Sequence, residues 1–475
     1  MAMLGTERAQ YTDETEQSID IPQNLDAQLS GDPSSASPRK EVQHVRPLAA
    51  ATMPPAPNGG FQAWIQVLGA HFLFFNSWGI VNTFGVYQTY YQTSLLHNHN
   101  ASEISWIGTF QAFLLVSFSL VAGPIFDRGY FRILLAVGTF LTVFGIMMNS
   151  ISDNYWQVFL SQGLCIGLGT GCLFLPSVAI VATYFTTKRA LAIGIVASGG
   201  SIGSVVYPIV FHRLQPRIGF PWATRVLGFI SLGTLLVSVL VLKTRLPPPE
   251  TTRAIFDPQA FKNVPFILFS TGLFLAFAGL YIPIFYIIFI AEIRAHVDEE
   301  FSFYLLPILN AASVLGRIIP GLLADRYGSL ELLAVCTLAS AIIAYIGVVI
   351  NSLARLIVFA IIYGFLSGAV VSLPSAVVAS LAPSMQLIGT WMGMSFFFAA
   401  LGILIGTPIV GSIIDVKKNH FGGGFVFSGS LVMAAGVLFV MTQGWKLAEK
   451  KANALRTAKR HSDLQIIQED VMGPV

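Results

Sequence analysis

Twelve long apolar runs, separated by short polar joints, occupy nearly all of the chain after residue 57. They fall near 62–87, 104–126, 131–151, 155–182, 190–211, 223–242, 264–290, 301–323, 330–350, 355–381, 387–413 and 423–444. A helix that crosses a bilayer needs about 20 mostly apolar residues. The runs lack period-two alternation and exceed the roughly 10 residues of a barrel strand. The pattern therefore predicts an all-α membrane protein with twelve transmembrane helices.

One register links the first six runs to the last six. Gly123, Asp127 and Arg128 follow the second run, and Leu175-Pro176-Ser177 lies inside the fourth. Adding 198 to each number gives Gly321, Asp325, Arg326 and Leu373-Pro374-Ser375, the same residue types. A duplicated six-helix unit predicts two pseudo-symmetric bundles, 58–242 and 264–445, with a site at their interface, the build of a secondary transporter. Between them, 243–263 is charged and proline-rich and reads as a tether that lets the halves rock.

Composition agrees with this picture: 54% of the 475 residues are hydrophobic and 11% are charged, which excludes an ordinary soluble protein. Residues 1–57 hold eight acids, four bases, seven prolines and a single aromatic, Tyr11. They bury too little apolar surface to fold and are expected to form a disordered tail. They also lack the apolar stretch of a secretory signal, so the first membrane helix is expected to direct insertion.

With twelve spans both tails share one side. That side carries 19 Lys and Arg in tails and loops against seven on the other, and the excess predicts cytosolic termini. Asn100-Ala101-Ser102 in the first opposite-side loop is a glycosylation sequon consistent with this topology. The basic stretch 446–460 opens a C-terminal tail, 446–475, expected to anchor the topology and to touch anionic lipid. Cys165, Cys172 and Cys336 all lie in predicted spans, which argues for packing thiols over disulfides or a metal site. No cofactor and no nucleic-acid partner is expected.

Arg317 is the outstanding single residue. Eight positions before Asp325, it lies about 12 Å up a helix from the cytosolic end. A guanidinium at that depth is costly and faces a cavity or an ionic partner, yet no Asp or Glu occupies the core of any predicted span. Two readings stand: an anionic substrate supplies the counter-charge through paired hydrogen bonds, or helix carbonyls satisfy a structural arginine. His71, Phe75, Trp78 and Asn82 share one face of the first helix at steps of four, three and four. His71 titrates in the range for proton coupling, and a helix-packing hydrogen bond is the plainer role. Asn310 and Ser313 precede Arg317 and are candidates for the same cavity. The Gly-x-x-x-Asp-Arg strings Gly123/Asp127/Arg128 and Gly321/Asp325/Arg326 are read as gating turns rather than substrate ligands. Glycines four residues apart, as at Gly163/Gly167/Gly171, Gly199/Gly203, Gly364/Gly368, Gly389/Gly393 and Gly402/Gly406, mark close helix contacts.

The Gly-x-x-x-Asp-Arg turns resemble the signature loop of the major facilitator superfamily, whose members have two six-helix halves. Within it, the chain resembles the monocarboxylate porter family, particularly its fungal branch. Asn58-Gly59-Gly60-Phe61 with Trp64 is similar to that family's lead-in to the first helix. Tyr184-Phe185, Lys188-Arg189, Leu191-Ala192 and Gly194 are similar to its lead-in to the fifth. The resemblance runs from about residue 58 to 445. It implies that Arg317 holds a substrate carboxylate. Two positions depart from the proton-coupled lactate carriers, which have a lysine where Asn82 stands and an aspartate where Ser313 stands.

The expected function is alternating-access transport of monocarboxylates or related organic anions by a single chain, with protons as a candidate coupling ion. The alternative is export of a larger secondary metabolite; a solute sensor derived from a carrier is a further class. The spans hold no nucleophile–base pair or H-E-x-x-H, and no phosphate loop occurs, so neither an enzyme nor an ATP-driven pump is expected. The cell membrane is the expected location, with the vacuole or another internal membrane as the alternative.

Overall fold

The structure, a computed structural model, describes residues 56–245, 256–384, 387–414 and 421–472. Residues 1–55 of the tail assigned to 1–57, and 246–255 of the tether, therefore lie outside the described residues. The chain forms α1 (Gly60–Leu95), α2 (Ser102–Phe126), α3 (Phe131–Asn149) and α4 (Tyr155–Tyr184), then one 53-residue helix, Arg189–Val241. Next come α7 (Val264–Ile293), α8 (Glu300–Tyr327), α9 (Ser329–Val349), α10 (Leu353–Leu381), α11 (Ile388–Ile413) and α12 (Gly422–Met472).

Eleven of these among the described residues are long and apolar enough to cross a membrane, one fewer than the runs predict. The difference lies in Arg189–Val241, which would extend about 80 Å if straight, against a hydrocarbon layer of about 30 Å. It bends at Gly219, where φ is 76° and ψ 164°, values that glycine adopts without strain. The helix on either side is two spans, α5 (189–218) and α6 (220–241), so the predicted count of twelve holds. A second difference is at the C-terminus, where the predicted tail continues α12 as helix through Met472.

The first helix of each half is broken near its middle, at positions that differ by the same 198 residues. Thr83 (φ −72°, ψ −13°) interrupts α1 and Tyr281 (φ −82°, ψ −13°) interrupts α7. The cause in α7 is Pro283, which has no N–H to give the Gly279 carbonyl. In lipid such a carbonyl must find another donor, and the Ser428 hydroxyl from α12 supplies it at 2.8 Å. The Tyr363 hydroxyl from α10 donates to the next carbonyl, Leu280, at 2.7 Å.

Contacts between the residues before and after the linker run mainly through α5 with α8 and α2 with α11. Advancing by six helices exchanges these two pairs, so the seam carries the symmetry of the repeat. Four glycines let helix backbones touch along it. A Cβ on Gly194 would lie 2.3 Å from the Arg317 carbonyl oxygen, and one on Gly321 2.7 Å from that of Ala190. On the other pair, Gly123 meets Gly389 and Gly393 meets Ser119, each at 2.9 Å. Large apolar side chains such as Leu240, Val349 and Phe140 are mostly exposed, as a lipid-facing surface requires.

Candidate substrate site

Arg317 lies inside this seam, 4% exposed. Its Nη1 donates to the Ala197 carbonyl of α5 at 2.5 Å and its Nε to the Ser313 hydroxyl at 3.4 Å. No carboxylate pairs with it among the described residues. Ser201 on α5 donates to Ser313 at 3.1 Å. Gly200, next to Ser201, makes room for two larger groups: a Cβ there would lie 2.8 Å from Trp78 Cβ and 3.1 Å from Arg317 Nη1.

Trp78, 2% exposed, stacks on Tyr281 with centroids 5.9 Å apart and planes 7° from parallel, and meets Phe174 edge-on. Its indole N–H is buried with no acceptor among the described residues. Tyr281 is close enough to Arg317 to interact electrostatically with it. Phe174 extends the aromatic layer to Phe396 on α11, 5.4 Å away. The outcome is a buried cation walled by rings from both halves, in a medium that strengthens any charge it receives.

The predicted residues divide. Arg317, Ser313 and Trp78 come together. Asn82 lies one turn along, donating to Ser204 of α5 at 2.8 Å. His71 packs elsewhere on α5: its Nδ1 is 2.8 Å from the Ile195 carbonyl, and since a carbonyl only accepts, Nδ1 carries the proton. Asn310 donates to Leu306 in its own helix at 3.0 Å. Tyr281, Gly200, Ser201 and Phe174 were not singled out in the sequence. For Tyr281 a signal existed, a hydroxyl-bearing aromatic two residues before Pro283 inside a predicted span.

The signature turns lie at one end of the seam. Asp325 accepts from the backbone N–H of Ala190 (2.8 Å) and Leu191 (2.9 Å), capping α5 from across the seam. Arg326 lies over the Tyr327 ring and Arg128 is exposed; the side chain of Asp127 lies outside what is described. The two helix lead-ins meet at this end too. Asn58 accepts from the backbone N–H of Thr186 and Thr187 at 2.6 and 3.0 Å, and Trp64 packs edge-on to Phe185. Asn100 caps α2, accepting from the Glu103 N–H at 2.8 Å. At the other end, His212 stacks on Phe303 at 4.1 Å and Arg213 reaches Glu300 at 3.7 Å. The α5–α8 contact thus encloses Arg317 from both sides.

Two symmetric bundles with a buried polar centre define a membrane carrier. Its sequence matches the Major Facilitator Superfamily over residues 67–347 and the pattern described as sugar (and other) transporter over 295–463. It is 44% identical over 382 residues to the MFS-type transporter dbaD of Emericella nidulans, covering 80% of this chain and 86% of that one. The Aspyridones efflux protein apdF of the same species is 37% identical, with 84% and 81% covered. The Agnestins efflux protein of Paecilomyces divaricatus is 35% identical, with 84% and 91% covered. Among solved structures, the human organic anion transporter MFSD10 matches with a TM-score of 0.61 at 16% identity, over 79% of this chain and 98% of that one. The Escherichia coli fucose:proton symporter matches at 0.62 and 14%, over 80% and 98%. These two speak to the fold alone. The chain belongs to the Major Facilitator Superfamily and is a multi-pass membrane transporter.

Proposed function

We propose that this transporter exports a secondary metabolite that carries an acidic group, by rocking 58–242 against 264–445 around Arg317. Export is favoured by the relatives named as efflux proteins at 35–37% identity over more than four-fifths of the chain. The anionic group rests on one observation: a buried guanidinium across the seam with carbonyl and hydroxyl partners and no carboxylate among the described residues. In the closed arrangement those neutral groups hold it; when the seam opens, the substrate's anion takes the place of the Ala197 carbonyl. A small monocarboxylate is the second reading, supported by the same guanidinium and by the helix lead-ins around Asn58 and Tyr184.

The signature-turn end is proposed to face the cytosol, with Asp325 as the latch that closes it. The test is efflux of labelled acidic metabolites from proteoliposomes containing the chain or its Arg317→Ala variant, with and without a pH gradient. Loss of at least a hundredfold in efflux of acids in the variant is expected. Equal flux of an uncharged metabolite in both proteins, with no acid moved by either, would make Arg317 structural.

A further inference from the structure

We propose that the exported molecule is a flat conjugated acid, and that the Trp78–Tyr281 pair is the slot that recognises its ring. This rests on the reading of Arg317 as an anion site and names the class of molecule that fits there.

Trp78 belongs to α1 and Tyr281 to α7, on opposite sides of the seam. Opening the seam at this level parts the two rings. Each ring then loses an almost parallel neighbour, and a planar ligand of about one ring's thickness restores a stack on both. A saturated skeleton does not, because its axial hydrogens hold the rings beyond contact.

Two further features aim a polar group at the same place. The indole N–H of Trp78 is buried and has no acceptor among the described residues; a buried donor of this kind calls for an acceptor that is not part of the resting arrangement. The Arg317 Nη1 lies close to Trp78, since both crowd the space a side chain at Gly200 would occupy. An oxyanion in the plane of the inserted ring meets the guanidinium at one edge, and a carbonyl or hydroxyl oxygen meets the indole N–H. Phe174 and Phe396 carry the apolar wall onward, so the rest of the molecule is aromatic or apolar. Ring fit and charge are thus read by different residues: Trp78 with Tyr281 for flatness, Arg317 for the acid.

The test separates these. Tritiated naphthalene-2-carboxylate and its saturated counterpart, decahydronaphthalene-2-carboxylate, share carbon skeleton and charge and differ in flatness. Saturation binding of each is measured to the full chain in nanodiscs. The wild type is expected to bind the flat acid about tenfold more tightly, the order that one or two ring stacks supply. Trp78→Leu and Tyr281→Leu bring the ratio to within about twofold, and Trp78→Phe keeps most of it. Thermal unfolding monitors whether the variants are folded, and the Phe variant retains a ring should Leu disturb packing. Arg317→Gln weakens both acids alike.

Equal affinity of the wild type for the two acids overturns the slot, as does an unchanged ratio in Trp78→Leu or no binding of the flat acid at millimolar concentration. If Arg317→Gln loses both acids in the first of these cases, the anion site survives the loss of the slot. If Arg317→Gln binds both acids normally while Trp78→Leu loses the ratio, the anion reading fails and the slot stands.

Discussion

Replacing Gly194 by alanine tests whether the seam is as tight as its backbone contacts imply. The new methyl carbon would sit 2.3 Å from the Arg317 carbonyl oxygen, 3.2 Å from its carbonyl carbon and 3.5 Å from Ile318 Cα, where ordinary contact begins at 3.4 Å. The clash is with helix backbone on both sides, so no rotamer change relieves it, and α5 and α8 must part by about 1 Å. Overpacking of this kind costs about 1–3 kcal/mol. On the proposed rocking the contact is lost when the seam opens, so the whole penalty falls on the closed arrangement. It shifts the open-to-closed ratio by roughly 5- to 150-fold. Spin labels at Tyr130 and Tyr327, 54% and 60% exposed on the two signature turns, report the separation by pulsed dipolar spectroscopy in a chain whose three cysteines are replaced. A longer-distance population is expected in Gly194→Ala. A smaller one follows in Gly321→Ala, and the smallest in Gly123→Ala and Gly393→Ala, in the order of their gaps. Gly233→Ala, with nothing within 4 Å, is the control. A Gly194→Ala distribution that superimposes on the wild type, with an unchanged unfolding midpoint, would refute the reasoning.

Two further outcomes follow from the same geometry. Ser428→Ala strands the Gly279 carbonyl that Pro283 leaves free, at a cost of about 1–3 kcal/mol. In a Pro283→Ala background residue 283 regains an N–H for that carbonyl, so the same change costs little. A double-mutant cycle by chemical unfolding that shows no coupling contradicts the assignment of Pro283 as the cause of the break. Asp325→Ala removes both acceptors at the start of α5, a cap worth about 0.5–2 kcal/mol. It should enlarge the open population in the distance experiment, with Asp325→Asn in between; a wild-type distribution in Asp325→Ala removes Asp325 from the latch.

Hydrophobic run length made the helices legible, because lipid leaves a spanning segment few choices but to satisfy its own backbone. It did not reveal the join at Gly219: the runs leave 212–222 as a polar joint, while the structure keeps helix on both sides and turns at one residue. The signature glycines stood out as a repeated motif, though not as points of backbone contact in the seam. Arg317 stood out because a lone charge in an apolar run has a large energetic signature. Its neighbours Tyr281, Gly200 and Ser201 did not, since aromatic and small residues are common in any packed span and only tertiary placement distinguishes them. His71 shows the converse. It looked unusual along the sequence, yet its ring is held by the Ile195 carbonyl within the first six-helix run of the chain.

The repeat itself separates scaffold from site. Positions that keep their residue type at a spacing of 198, such as Gly123 with Gly321 and Pro176 with Pro374, belong to the seam and to the helices behind it. The breaks at Thr83 and Tyr281 keep their backbone angles while changing their side chains. At the site, every pair differs: Arg317 faces Ser119 as its counterpart, Trp78 faces Ala276, Tyr281 faces Thr83, Ser313 faces Leu115 and Gly200 faces Phe398. Rocking needs two equivalent halves, because a symmetric seam can close at either end with similar contacts. The proposed recognition of a molecule with one acidic end and one ring needs the reverse, a cation on one half and an indole on the other. Ser119 illustrates the division: it is buried at the place equivalent to Arg317, its hydroxyl has no partner among the described residues, and its carbonyl supports the seam against Gly393. The same backbone position serves closure in both halves and carries charge in only one.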